Sequence, residues 1–380
     1  MGWSFHIVRV GGIEVKVHVT FLLFLGWIAY MYGRVGGLAA AFEGVLFVSL
    51  IFLCVLLHEF GHAFAARRYG IRTPEITLLP IGGVARLERM PEKPLEEIVV
   101  AIAGPAVNVA IATLLWAFIT VTGGFAESGF THAALDLPTK LLGINLWLVI
   151  FNMIPAFPMD GGRVLRALLA LRIDYLRATH MAAGVGQMIA CLFGILGLVG
   201  NPVLVLIALF VYFGAASEDS MAQFKSFSHG LRASAAMLTH FQTLPLYATV
   251  REAVKALVHS GEHAFPVIDL QGKLRGMVTR EAIINALRQS GPQTALSGIM
   301  RTDVPSVHYT MPFERAFALL QESQCTALPI VDSNEQLIGL FSPENMKDLM
   351  LIQKALAEAP EEELEVSDNP PPLPTNHRIV

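Results

Sequence analysis

The chain has 380 residues, of which 54% are hydrophobic and 15% charged, and its formal net charge is −4. Soluble proteins carry about a quarter charged residues, so a uniformly soluble chain is excluded. The weak negative charge also excludes the basic face that a nucleic-acid partner requires.

The shortage of charge is local. Long apolar runs fill roughly the first 217 residues, and the remainder has an ordinary composition, which predicts a membrane part followed by a soluble part. Residues 5–17 alternate apolar and polar around Gly11-Gly12, the pattern of a short β-hairpin ahead of the membrane. Glu14 and Lys16 interrupt this start before any apolar run begins, which argues against a cleavable signal peptide. Six hydrophobic segments follow, near 18–33, 38–65, 95–122, 138–156, 180–199 and 201–217. Gly200-Asn201-Pro202 separates the last two and predicts a tight turn. Cys54, Cys191 and Cys325 are scattered and form no disulfide framework; Cys54, inside an apolar segment, reads as packing.

Arg67, Arg68, Arg72, Arg86, Arg89 and Lys93 follow segment two, and Arg163, Arg166, Arg172 and Arg177 follow segment four. Only Arg34 and Lys140 lie on the opposite side. Basic residues collect on the cytoplasmic face, so both termini and the soluble part are expected there. Beyond about residue 230 the sequence duplicates itself at a spacing of 63 residues. Phe265-Pro266-Val267-Ile268-Asp269 returns as Leu328-Pro329-Ile330-Val331-Asp332, and Gly276 and Glu281 return as Gly339 and Glu344. Two copies of one small α/β unit are implied. After about 357 the chain turns acidic and then proline-rich, the composition of a disordered tail.

Two motifs carry chemistry. His58-Glu59-Phe60-Gly61-His62 lies within segment two, where positions i and i+4 share a helix face and both imidazoles can reach one metal ion. Glu59 then sits beside the metal as a general base. Alternatively, the histidines are interfacial residues and Glu59 pairs with Arg67 or Arg68. Ionisable groups inside a hydrophobic segment are costly and usually functional. The second motif, Asn152-Met153-Ile154-Pro155-Ala156-Phe157-Pro158-Met159-Asp160-Gly161-Gly162, ends segment four. Its prolines break the helix and its glycines permit a tight bend. Asp160 can thereby turn back as a third ligand, since two His and one carboxylate form a known catalytic zinc set; otherwise it caps the next helix.

Together these motifs resemble the site-2 protease family of intramembrane zinc metalloproteases, over about residues 5–217. The resemblance implies one zinc ion held by His58, His62 and Asp160, with Glu59 catalytic. It implies Asn152 as a substrate- or oxyanion-binding residue, and the Pro155/Pro158 bend as part of the substrate groove. It further implies that the hairpin Leu79–Arg86, with Gly82 and Gly83, dips toward the active site and pairs with an unwound substrate segment. Ala103-Gly104-Pro105-Ala106-Val107-Asn108 resembles a third family motif near the site, although small residues there also serve close helix packing.

The duplicated unit resembles a pair of cystathionine-β-synthase-type (CBS) domains, commonly adenosine-nucleotide sensors. The resemblance implies ATP, ADP or AMP binding, with Thr279 and Ser342 on phosphate or ribose and Glu281 and Glu344 on the ribose hydroxyls. Both copies place glutamate where that family often has aspartate. The expected fold is a polytopic α-helical membrane protein of about six transmembrane helices followed by a cytoplasmic α/β CBS-domain pair. The divisions are 1–220, 230–290, 295–352 and a disordered tail at 357–380. The expected function is an intramembrane zinc endopeptidase of the cell membrane, acting on transmembrane protein substrates and dimerising through the CBS pair. The rival is a CBS-regulated metal-ion transporter or channel. A transporter needs ligands along a path across the bilayer, whereas segments one, five and six hold no internal acidic residue.

Overall fold

The computed structural model describes residues 3–86, 88, 91, 93–122, 137–260 and 262–358. The expected tail lies outside them from residue 359 onward. The chain divides into two compact units, Met1–Gln223 and Phe224–Val380.

The first unit opens with the expected hairpin, β1 (Ser4–Val10) and β2 (Ile13–His18). Gly11 and Gly12 turn it with φ of 58° and 90°, values that glycine adopts without a Cβ penalty. β2 buries Ile13, Val15 and Val17 on one face. It pairs in parallel with β3 (Glu75–Leu79), which pairs antiparallel with β4 (Gly82–Arg86), giving the order β1-β2-β3-β4. β4 therefore has a strand on one side only, among the described residues. Lys16 bonds Glu75 across the sheet at 2.5 Å and holds that carboxyl below its ordinary range.

α1 (Val19–Arg68) leaves β2 without a linker, His18 Nδ1 accepting the Thr20 amide at 3.3 Å as a cap. Its 50 residues would reach about 75 Å if straight, against roughly 30 Å of hydrocarbon. Gly36 and Gly37 leave helical geometry at the boundary between the first two apolar segments. Then follow α2 (Pro94–Val121), α3 (Leu137–Asn152), α4 (Asp160–Ala170), α5 (Tyr175–Val199) and α6 (Pro202–Ser228). Among the described residues four helices, α1, α2, α5 and α6, are long and apolar enough to cross a membrane, and α3 is a shorter apolar one. Segment four stops being helical at Asn152, four residues before its expected end, because Pro155 and Pro158 occupy the bend. The last segment runs eleven residues further, to Ser228.

α2 is the hub, packed against α1, α3 and α4. Lipid offers no hydrophobic drive between helices, so close contact depends on small residues. A Cβ on Gly61 would meet Ala103 O at 2.7 Å, so α1 and α2 touch backbone to backbone there. Arg166 of α4, only 2% exposed, is ion-paired with Glu97 of α2, only 1% exposed, and with Glu218 of α6 at 3.3 Å. Its guanidinium also lies over the rings of Phe157 and Tyr175.

The second unit holds the duplication. β6 (Leu244–Pro245), α7 (Val250–Ser260), β7 (Ala264–Ile268), β8 (Leu274–Thr279) and α8 (Arg280–Gln289) form the first copy. β9 (Val307–His308), α9 (Phe313–Ser323), β10 (Leu328–Val331), β11 (Leu337–Phe341) and α10 (Pro343–Glu358) form the second. Buried Phe265, Val267, Val278 and Ile283 fill the core of one, and Phe313, Leu328, Ile330 and Phe341 that of the other. The copies exchange edges. β5 (Met237–Leu238), within the expected first division at 230–290, pairs with β11 of the second copy, and Arg301, within the expected second division at 295–352, bridges Met277 of the first. The repeated glycines sit at these two junctions. A Cβ on Gly276 would meet Arg301 O at 2.7 Å, and one on Gly339 would meet Met237 Cγ at 2.1 Å.

Candidate metal and catalytic site

The helical spacing of His58 and His62 places both rings on one face of α1, edge to face, with centroids 4.7 Å apart. Asp160 reaches them from the start of α4. The bend at 153–159 folds the chain so tightly that a Cβ on Gly161 would meet Ile154 O at 2.3 Å, and one on Gly162 the Ala156 carbonyl carbon at 2.6 Å. No other residue fits at either position without moving backbone. Met159, not Asp160, occupies the cap position of α4, with no side-chain cap bond. The carboxylate is free to face the histidines.

His58 Nε2, His62 Nε2 and Asp160 Oδ2 stand 3.0, 3.1 and 3.2 Å from one another. The three side chains are buried, at 6%, 4% and 6% exposure. Among the described residues they form the one group of three or more such side chains with metal-ligand spacing. The far nitrogens decide what faces inward. His62 Nδ1 lies 2.7 Å from Val100 O, a pure acceptor, and His58 Nδ1 lies 2.5 Å from Asn108 Oδ1. Each Nδ1 therefore carries the hydrogen, and each neutral ring turns a lone pair toward Asp160. Two lone pairs and a carboxylate oxygen converge on one point inside apolar helices, an arrangement that only a cation reconciles. Donors around a tetrahedral zinc at about 2.0–2.1 Å stand roughly 3.3 Å apart, so the set fits zinc.

Three neighbours complete the site. Arg163, one turn along α4, brings its guanidinium to 3.9 Å from Asp160 Oδ1. A Cβ on Gly83 of β4 would lie 3.0 Å from Glu59 Cγ, so the single-sided strand runs against the candidate base. Gly104 of α2 faces the two histidines directly, since a Cβ there would fall 2.2 Å from His62 Nε2 and 2.7 Å from His58 Nε2.

The profile of peptidase family M50 matches residues 46–140, and that of the CBS domain matches residues 233–289 and 296–351. A zinc metalloprotease of Methanocaldococcus jannaschii is 35% identical over 283 residues, which cover 73% of this chain and 78% of the relative. The chain belongs to peptidase family M50, the site-2 family of zinc metalloproteases. Rip3 of Mycobacterium tuberculosis is 28% identical to the protease over 367 residues, 90% of this chain and 91% of its own. The solved site-2 protease of M. jannaschii aligns with 57% of this chain and 95% of its own, at 38% identity and a TM-score of 0.43.

The remaining expected residues of the protease are placed as follows. Asn152 is half-buried at the end of α3, Pro155 exposed and Pro158 half-buried in the bend. A Cβ on Gly214 of α6 would touch Pro158 Cδ at 2.6 Å, so the bend is packed against that helix. Gly82 has a positive φ of 138° and open space beside it. In the second unit, Thr279 and Glu281 line a cavity of about 520 Å³ together with His263, Arg280 and Arg301. Ser342 and Glu344 do not line it. Thr279 Oγ1 and Ser342 Oγ accept the Ala282 and Asn345 amides at 3.3 Å, so each hydroxyl caps the helix that follows its strand. Sequence reasoning placed Gly104 in a motif near the site without saying what it touches, and counted Arg163 only as a charge that sets orientation. An Arg three residues after a ligand Asp, on a helix, was the available signal.

Proposed function

We propose that this protease is a polytopic intramembrane endopeptidase that hydrolyses peptide bonds within or near transmembrane helices of other membrane proteins. The observation that carries this reading is the convergence of three buried metal donors beside Glu59 and a one-sided β-strand, all among apolar helices. The two halves of α1, α2, α3, α5 and α6 supply six spans. The distribution of basic residues supports cytoplasmic termini and a cytoplasmic CBS pair.

In the proposed mechanism His58, His62 and Asp160 hold zinc, which when bound polarises the scissile carbonyl and acidifies the attacking water. The substrate, helical in the bilayer, must unwind locally before its peptide bond is reachable. β4 offers backbone groups to the unwound strand, a β-augmentation, and Gly82 and Gly83 keep that edge free of side chains. A carboxylate oxygen of Glu59 takes the proton as water adds to the carbonyl carbon. It then delivers the proton to the amide nitrogen as the C–N bond breaks, leaving a carboxylic acid and an amine, which end as carboxylate and ammonium once the acid's proton passes to the amine. Asn152 orients the substrate carbonyl, and the Pro155/Pro158 bend shapes the groove. Glu59→Gln keeps the ligands and removes the base, so cleavage of a single-span substrate should vanish while bound zinc remains. Proteolysis near the parent rate in that variant overturns the mechanism.

The unit after residue 230 is proposed to divide at 230–290 and 295–352 and to regulate the enzyme by binding AMP, ADP or ATP. Two arginines, a histidine and the Thr279 hydroxyl around one cavity suit an anionic nucleotide. Its ligand biases proteolysis only through differential affinity for two arrangements of the pair. Calorimetry of the full protein with each nucleotide tests this, and the absence of heat at millimolar nucleotide refutes it. Light scattering tests dimerisation through the same unit.

A further inference from the structure

Two buried asparagines of the membrane unit form a continuous chain of hydrogen bonds that ends on His58. Leu141 O, on α3, accepts from Asn145 Nδ2 at 2.9 Å, and Cys54 Sγ, on α1, lies 3.4 Å from the same nitrogen. Asn108 Nδ2 donates to Asn145 Oδ1 at 2.8 Å, and Asn108 Oδ1 meets His58 Nδ1 at 2.5 Å. Both asparagines are fully buried. Neither can be turned round alone. Leu141 O can only accept, so the atom facing it is the amide NH2 of Asn145, which leaves Oδ1 toward Asn108. That oxygen requires the Asn108 NH2, which leaves Asn108 Oδ1 toward His58 and demands a hydrogen on Nδ1. The sequence of forced assignments begins at a backbone carbonyl and ends at the lone pair His58 turns toward the metal.

We propose that Asn145 is a positioning residue for zinc binding: through Asn108 it fixes the tautomer of His58 that can ligate, with Cys54 and Leu141 O as its anchors. The proposal rests on the reading of His58 as a zinc ligand. Four residues on three helices are committed to one ring nitrogen, and outer partners of metal-bound histidines are worth about 10–100-fold in metal affinity. Asn145→Leu removes the acceptor that Asn108 needs. Asn108 can then rotate, present its NH2 to Nδ1 and favour the tautomer whose Nε2 carries the hydrogen and cannot bind metal. Asn145→Asp retains an oxygen toward Asn108, and in its protonated form still donates to Leu141 O.

The two variants separate positioning from packing, because the two roles rank them oppositely. An apolar Leu suits an interior between membrane helices better than an acid does, so a packing role makes Asp the worse variant. Zinc affinity is measured on the purified full-length protein by chelator competition, and cobalt-substituted protein gives the ligand-field spectrum. Asn145→Leu is expected to lose at least ten-fold in zinc affinity and to alter the cobalt spectrum. Asn145→Asp should stay within a few-fold of the parent. In an Asn108→Leu background, adding Asn145→Leu should cost less than two-fold more. Equal affinity of Asn145→Leu and the parent, or additive losses in the double variant, overturns the proposal. His58→Ala is the accompanying control. If it keeps zinc, the ligand reading itself fails; if it loses zinc while Asn145→Leu does not, only the relay fails.

Discussion

Gly104 gives the sharpest handle on the metal site, because it touches both histidines while lying on another helix. Adding one methyl group by Gly104→Ala places a carbon 2.2 Å from His62 Nε2 and 2.7 Å from His58 Nε2. Ordinary contact begins near 3.4 Å, so His62 Nε2 has to retreat by about 1.2 Å and His58 Nε2 by about 0.7 Å. A metal tolerates about 0.2 Å in its bond lengths, so the retreat exceeds the tolerance several-fold. α2 is held from backing away by its packing against α3 and α4. The variant should therefore purify folded with little zinc and cleave a single-span substrate at least 100-fold more slowly, a misplacement of about 1 Å at a reacting centre costing that much. Metal content by mass spectrometry and cleavage in detergent or vesicles supply the two readings. Gly143→Ala on α3, with nothing within 4 Å of the added carbon, is the matched control and should be nearly silent. Stoichiometric zinc and parental cleavage in Gly104→Ala would refute the packing argument.

Asp160→Ala should lose bound zinc as well as activity; if zinc stays stoichiometric and turnover full, the third ligand lies elsewhere. Arg166→Ala leaves Glu97 buried opposite no cation, which costs about 3–5 kcal/mol. A chemical or thermal melt in detergent should show this loss, and pairing the change with Glu97→Gln should recover much of it. Equal stability of both variants would mean the charges are hydrated. The Lys16–Glu75 pair bears on pH. A carboxyl whose folded pKa is depressed stabilises the fold above its unfolded value near 4.5 and stops doing so as pH falls through the lower folded value. Protection of the β2 and β3 amides, corrected for the intrinsic exchange rate, should thus fall as pH drops below about 4.5 and lose that dependence in Lys16→Met, and an unchanged profile in the variant would exclude the pair as its source.

Much of this architecture is legible in the sequence because its signals are local. Apolar length marks the helices, a glycine pair breaks α1, and two histidines four apart share a face. Asp160 was legible through the prolines and glycines around it, which announce a bend before any coordinates. What stayed hidden depends on pairs far apart along the chain. Arg166 reads as a loop charge on the basic side, yet it is buried on α4, because its partner Glu97 lies 69 residues earlier. Asn108 falls in a motif and Asn145 is a polar residue in an apolar run that no motif marks, and nothing in either segment says that they meet. The exchange of edges between the CBS copies is equally invisible, since two-residue strands such as β5 have no pattern of their own. Their glycines repeat at a spacing of 63 without saying what they press against.

The unpaired side of β4 also sets a requirement on length. A residue advances 1.5 Å along a helix and about 3.3 Å along a strand. Drawing five residues of a substrate helix onto the five-residue strand β4 therefore lengthens that stretch by roughly 9 Å. The excess has to go somewhere. A substrate held at both membrane faces by charged anchors resists it, whereas one with a free end slides by two or three residues' worth of strand. On the proposed reading, in which β4 accepts the substrate, this edge works as a strain gauge, sorting helices by how freely their ends can travel rather than by the side chains they carry.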